Sequence, residues 1–308
     1  MLDEHEGLKS PLMIMKQRSP QILLCPSCGR ATVHKRLYTK NGCDILGCNE
    51  CGLGRAEAKA FDPAAYYTAG YFSGRLPDGY ADYLGTEQVL RREFARTVDF
   101  VRLNCPSGKL LEVGCAYGFF LREAMRYFEV SGIELSDDAA AHCRQAGLNV
   151  LSGEADATNL KRFGNMDVIV MLDVVEHLRD PYGTLSACAK KLNPGGIIVL
   201  TTGDFGSSLA RLTGAGWRLM TPPQHQWFFT AESIRRWSAH RGMKLERLDY
   251  PWKIVPLSLI LFQLGRMVGF GFAAKPSSIP VGVPINLFDA MRIVLRRCAD
   301  HDIHLAGR

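Results

Sequence analysis

Two groups of residues have the types and spacing for chemistry. The first is four cysteines in two C-x-x-C knuckles, Cys25-Pro-Ser-Cys28 and Cys48-Asn-Glu-Cys51, each followed directly by a glycine, Gly29 and Gly52. A tetrahedral Zn²⁺ takes four thiolates at about 2.3 Å. Each tight turn delivers two sulfurs to one side of the ion, and a glycine there tolerates positive φ. The spacing therefore predicts a zinc ribbon, with a redox pair as the competing use of C-x-x-C. Cys43 lies between the knuckles and is surplus once four ligands close a structural site. Cys105, Cys188 and Cys298 read as scattered reduced thiols.

The second group begins at Leu110-Leu111-Glu112-Val113-Gly114-Cys115-Ala116-Tyr117-Gly118-Phe119-Phe120, the pattern of a strand, a tight glycine turn and an opening helix. Glycines let a ligand approach the backbone closely. A G-x-x-x-G leaves less room for a pyrophosphate than G-x-G-x-x-G, and an acid just before the turn, Glu112, suits a cationic amino-acid group. Glu134 follows the turn by about 20 residues, at the end of the next strand, where a carboxylate can accept from both ribose hydroxyls. Two histidines stand where a base near neutral pH is useful. His177 follows the acids Asp173 and Glu176, and His225 sits in Pro222-Pro223-Gln224-His225-Gln226-Trp227-Phe228-Phe229, whose aromatics can stack on a sugar or ring. For both, a hydrogen-bonded structural histidine is the plainer alternative.

These residues need a frame, and the pattern supplies one. Short strands alternate with helices: KLLEVG, FFLREAMRY, EVSGIEL, SDDAAAHCRQ, NVLSG, MDVIVMLDV, PYGTLSACAKKL and GGIIVLTTG. Runs such as DVIVML are continuously apolar, as in parallel strands buried on both faces. A helix over Thr86–Leu103 leads in. FTAESIRRWSAHRG reads as a helix capped by Thr230 with Gly242 past its end, and strands follow near MKLERLDY and MRIVLRR. The expected organisation is a loosely ordered leader over 1–22, the ribbon over 23–59 and an aromatic lid with lead-in helix over 60–107. A core over 108–250 follows, then an apolar helical insertion with a final strand over 251–308. The lid segment, rich in aromatics, glycine and proline, is expected to be irregular, with Tyr66, Tyr67 and Tyr83 available to cover a ligand and exclude water.

Read together, these motifs resemble the class I S-adenosylmethionine-dependent methyltransferases over about residues 86–250. The resemblance implies an α/β fold: a Rossmann-like, mostly parallel sheet with an antiparallel last strand and helices on both faces, here joined to an N-terminal zinc ribbon. EVGCAYGFFL resembles the first family motif, which carries methyl-donor contacts to Glu112, Gly114, Cys115, Ala116, Gly118 and Phe119. GIEL resembles the second and brings Glu134 and Leu135. Gly153-Glu154-Ala155-Asp156-Ala157 resembles the third, whose acid meets the adenine amino group, so Asp156 and Ala157 follow. MLDVVEHLRDP resembles the fourth, near the methionine end of the donor, which implicates Asp173 and sets Glu176-His177 beside the transferring methyl. KLNPGGIIVLTT is similar to the turn and fifth strand. Cys115 and Tyr117 depart from the small residues of many relatives and make this loop bulkier. His225-Gln226-Trp227-Phe228-Phe229 before a helix, together with the ribbon, resembles the small-molecule and sugar branch.

Composition narrows the classes. In 308 residues, 47% are hydrophobic and 22% charged, which excludes a mostly disordered or collagen-like chain. The acidic opening MLDEHEGLKS is unlike a secretory signal, which implies a cytoplasmic protein with structural zinc rather than disulfides. Net charge is +6, with the positive excess in residues 209–308, a face for phosphate-bearing partners or simply for solvent. Ile254–Phe262 opens an apolar stretch, 254–273, that is a membrane-surface contact or, more plainly, a helix over the substrate mouth. The expected activity is methyl transfer to a hydroxyl of a saccharide or related small metabolite. His225 or His177 is the base, and neither the methylated atom nor the oligomeric state is specified. Two alternatives accompany it. One is an RNA methyltransferase gripping phosphates through Arg30, Lys35, Arg36, Lys40, Arg55 and Lys59 of the ribbon stretch. Asp173-Val174-Val175-Glu176 lacks the Pro-Pro-aromatic form used on base amines, which counts against it. The other is a non-catalytic zinc-binding scaffold.

Overall fold

In the computed structural model the described residues are 19–57, 61–75, 79–80, 82–261 and 281–298. The leader 1–18, most of the apolar stretch 254–273 and the C-terminal end lie outside them. Two sheets carry the architecture. The larger has seven strands in the order β11-β14-β9-β8-β5-β6-β7. These are β5 (Gly108–Val113), β6 (Phe128–Glu134), β7 (Val150–Ser152), β8 (Met166–Leu172), β9 (Leu192–Gly203), β11 (Met243–Asp249) and β14 (Ala290–Arg297). Strands β5 to β9 pair in parallel, whereas β14 runs antiparallel to both β9 and β11. The alternation of elements predicts the central parallel strands, and the antiparallel last strand is what the resemblance implied.

The continuous apolar runs are buried on both faces, as their pattern requires. Val168, Ile169, Val170 and Met171 of β8 are all 0% exposed. Alternate residues serve opposite layers: Ile169 and Met171 join one cluster with Leu185 of α7 (Pro181–Lys191), while Val168 and Val170 join another with Val98 and Val101 of α3 (Glu87–Asn104). Each such aliphatic side chain contributes roughly 1.5–3 kcal/mol through burial. The helix α9 (Ala231–Ala239) starts at a capping box in which Thr230 and Ser233 satisfy each other's backbone amides, a cap that stabilises by about 1 kcal/mol. It buries Ile234 and Trp237 on its inner face.

The smaller sheet is the ribbon, in the order β1-β2-β3-β4-β10. It comprises β1 (Gln21–Cys25), β2 (Arg30–Lys40), β3 (Cys43–Cys48) and β4 (Gly54–Glu57), and its fifth strand β10 (Trp227–Phe228) comes from the far end of the chain. Ribbon and main body thus share a sheet. Cys25, Cys28, Cys48, Cys51 and Leu53 share one apolar cluster with Ile198, Leu200 and Trp237 of the main body.

Two expectations are corrected. The lid holds two short helices, α1 (Pro63–Tyr66), capped by the Asp62 carboxylate and started by a proline, and α2 (Ala69–Phe72). The insertion expected to be helical from Ile254 begins instead as β12 (Lys253–Pro256), paired antiparallel with β13 (Gly282–Ile285). The β-branched pair Ile254-Val255, opposite Pro284 and Val283, suits a two-stranded ribbon. Among the described residues, helix follows over 257–261, and the rest of the expected helical insertion lies outside them. Among the described residues, no helix is long and apolar enough to cross a membrane.

Candidate active site

A cavity of about 250 Å³, partly open to solvent, lies at the C-terminal ends of β5, β6 and β8, where an open parallel sheet holds its ligands. Its floor is the glycine turn. Gly114 has φ 73°, and a Cβ there would lie 2.5 Å from Val174 Cγ2, so only glycine fits. Gly118, at φ 76°, starts α4 (Phe119–Ala124) and has Leu148 and Cys143 against it.

Glu134 ends β6 with its carboxylate held from behind: Ala116 N donates to Oε2 and Ser136 N to Oε1, each at 2.8 Å. Each oxygen keeps a lone pair toward the cavity. Burial raises the Glu134 pKa against these amides. Asp156 caps α6 (Ala157–Leu160), accepting from Asn159 N at 2.7 Å, and also lines the cavity. Of the donor contacts expected from sequence, Gly114, Ala116, Glu134, Leu135, Asp156 and Asp173 line the cavity. Glu112, Cys115, Gly118, Phe119 and Ala157 are not on its wall. Glu112 lies within β5 beneath the turn, 3% exposed, and burial holds its carboxyl well above the usual range. Phe119 stacks on Tyr83, and Cys115 is packed on Cys143.

Opposite the turn, Tyr67, Tyr71, Phe72, Tyr80 and Tyr83 of the lid form the roof. Burial keeps the four tyrosine hydroxyls protonated, with Tyr80 pushed up to about 12. Asp173 follows β8 at φ 55°, where a short polar residue is tolerated. Lys253 Nζ lies 2.8 and 2.6 Å from its two oxygens, and Thr201 Oγ1 donates to it at 2.8 Å. Burial opposes the charge, but the ammonium and hydroxyl prevail and hold Asp173 below the usual range. Lys253 was not singled out in the sequence; it arrives from 80 positions downstream on a strand that the pattern did not reveal.

His177 lines the cavity; His225 does not, and lies behind it with ring centroids 4.5 Å apart. His225 Nδ1 is 2.7 Å from the Leu219 carbonyl, and His177 Nδ1 is 3.1 Å from the Gln224 carbonyl and 2.7 Å from Tyr67 Oη. A carbonyl only accepts, which puts the proton of each ring on Nδ1 and leaves Nε2 bare. Burial lowers His177 to about 4; burial and His177 lower His225 to about 3. Both rings are thus neutral near pH 7. Glu176, 5% exposed, is pushed up to about 8 by burial and Asp173, and its Oε2 has no partner among the described residues. Donor atoms of Glu176, His177 and His225 lie within 4.8 Å of one another, as would suit a cation.

The four ribbon cysteines form a second such group, within the same limit. Tetrahedral Zn–S bonds imply S···S edges of about 3.8 Å, and Cys25 Sγ lies 3.6 Å from Cys51 Sγ. Donation from Cys51 holds Cys25 down to about 4, while burial pushes Cys28 up to about 11 and Cys51 is raised as the donor to Cys25. So dense a set of buried thiols becomes fully thiolate only around a cation, and the residues fit zinc. Cys43, buried apart from the four, is not part of the group.

Residues 86–248 match the family described as a methyltransferase domain. A ubiquinone biosynthesis O-methyltransferase of Methylococcus capsulatus is 28% identical over 187 residues, 56% of this chain and 77% of the relative. A protein of the same name from Azoarcus sp. is 34% identical over 158 residues, 46% of this chain and 66% of the relative. Among solved structures, an S-adenosylmethionine-dependent methyltransferase from Archaeoglobus fulgidus is 17% identical with TM-score 0.47, covering 66% of this chain and 92% of that one. With the parallel sheet, the glycine turn and the acid-ended second strand already in view, the chain belongs to the class I S-adenosylmethionine-dependent methyltransferases.

Proposed function

We propose that the enzyme transfers the methyl group to a hydroxyl on a ring of a small metabolite, with His177 as the residue nearest the acceptor. The observation that carries this reading is that Glu134 and His177 line one cavity roofed by lid tyrosines. Glu134 would accept from the donor's ribose, Asp156 from its adenine, and the Gly114 turn would let the donor approach the backbone. The donor supplies an activated methyl when bound. The chain supplies alignment, exclusion of water by the lid, and a bare imidazole nitrogen to take the hydroxyl proton. His225 braces His177 from behind.

The name of the curated relatives supports oxygen as the methylated atom and favours a quinone-type or phenolic ring over the saccharide expected from sequence. The RNA reading loses support because the ribbon spends β4 on the protein's own β10. Zn²⁺ in the four-cysteine cluster is part of this proposal. A second reading is favoured by the Glu176-His177-His225 group: two half-buried, weakly basic imidazoles beside a buried acid suit a divalent cation that orients the hydroxyl.

The test uses labelled S-adenosylmethionine with polyphenol and saccharide acceptors, wild type beside His177→Ala and His225→Ala, with and without added Mg²⁺ or Mn²⁺. The expected result is label on a phenolic acceptor and a loss of about 10²–10⁴-fold in His177→Ala. An equal loss in both variants together with cation dependence would select the second reading. Full activity in His177→Ala would remove His177 from the chemistry.

A further inference from the structure

We infer that the ribbon positions His225: its hairpin tip, through Asn41, and its strand β4 hold the segment 222–230 in place. This inference rests on the proposed reading of the histidine pair, though not on the identity of the acceptor. The chain between β9 and α9 has little regular structure of its own. Only the short helix α8 (Ser208–Thr213), one 3₁₀ turn (Gly214–Gly216) and the two-residue strand β10 interrupt it. Such a segment keeps a functional geometry only if something else holds it.

What holds it is largely the ribbon. Asn41 Nδ2, at the β2–β3 turn, donates to the Pro222 carbonyl at 2.8 Å. Ala56 N in β4 donates to the Gln226 carbonyl at 2.9 Å. Trp227 and Phe228 pair with Arg55 and Gly54. Thr230 Oγ1 donates to the Cys51 carbonyl at 2.7 Å, directly at a metal knuckle. Between the first two anchors stands His225. Gln226 N, donating to the Glu176 carbonyl at 3.0 Å, joins the same segment to the turn that carries His177. The apolar side agrees. Ile45 and Ala56 of the ribbon pack with Trp217, Met220 and Phe228, and Tyr38 lies edge-on to Phe205.

Asn41 has φ 48° and precedes Gly42 at φ 74°, the two positive values of a tight hairpin turn. The turn aims the amide at Pro222. Asn41 is therefore a positioning residue acting on His225 through the backbone of 222–226, and the four cysteines stiffen the sheet that carries it. The assigned occupant of the ribbon's inner edge is the enzyme's own segment 222–230, which backs the wall residue His177.

The experiment uses the full chain with its metal, comparing wild type with Asn41→Gly, which keeps a turn-compatible residue and removes the donor. Amide exchange is read at 224–226 and the imidazole nitrogen resonances in ¹⁵N-histidine protein. The expected result is exchange at His225 and Gln226 faster by about tenfold, the loss of one hydrogen bond. The His225 resonances should shift while those of His142 and His240 stay, and titrated S-adenosylmethionine should bind with affinity within about twofold of wild type. Chelation of wild type should reproduce the histidine shift, and Zn²⁺ should reverse it. Unchanged exchange and unchanged His225 resonances in Asn41→Gly would overturn the inference. Failure of wild type to bind the methyl donor would strike the proposed function instead and leave this result readable.

Discussion

The cavity has two kinds of wall. The donor side is built from neighbours in sequence. Gly114, Ala116, Glu134 and Asp156 sit on successive strand ends, and the anchoring bonds to Glu134 come from Ala116 and Ser136. The opposite side gathers strangers: Tyr67 meets His177 across 110 positions, Lys253 meets Asp173 across 80, and behind the wall Asn41 meets Pro222 across 181. A wall made of local turns folds with its own strands. A wall made of distant segments depends on every element that braces it, the metal ribbon included.

That contrast can be broken experimentally, and the largest effect should come from the metal. Cys48→Ser, or chelation, removes a ligand set whose binding energy is part of folding. The expected outcome is loss of bound zinc and a fall in melting temperature on the order of 10 °C. Heat of donor binding should persist, because Glu134 and the Gly114 turn touch no ribbon residue in their hydrogen bonds. Donor binding lost together with zinc would mean that the two walls are not separable.

A smaller effect sharpens the donor side. Glu112 is buried beneath the turn with its carboxyl raised well above 4.5. As pH rises past 4.5 the unfolded chain releases this proton while the folded chain keeps it, so stability from this site falls with rising pH. Glu112→Gln is neutral throughout. It should melt about 2–4 °C higher than wild type at pH 8, with the gain vanishing below pH 4.5. A variant that melts lower at pH 8 would mean that the charged form is used in the folded state.

The same contrast explains what could be read from sequence. The seven-stranded sheet was legible because apolar runs such as DVIVML, and glycines that no other residue can replace, are local signals. The four-cysteine group was legible from two turns. Glu112 was not, because strand position alone does not say whether an acid before a glycine turn faces the ligand or the core. The lid's short helices were hidden by aromatics and glycines that obscure any period, though Asp62-Pro63 is a helix start that could have been found. Strand β12 was hidden inside an apolar stretch whose composition suits a helix equally. Two histidines were legible, but not that His177 lines the cavity while His225 does not, a tertiary property.

The central claim is that Glu134 anchors the methyl donor in this cavity. Calorimetric titration of S-adenosylmethionine into wild type and Glu134→Ala tests it directly. The account predicts one-to-one binding to wild type and weakening by roughly 10²-fold in the variant, as expected when charge-assisted hydrogen bonds to both ribose hydroxyls are lost. Equal affinity in the two proteins, or no heat with wild type, would contradict it.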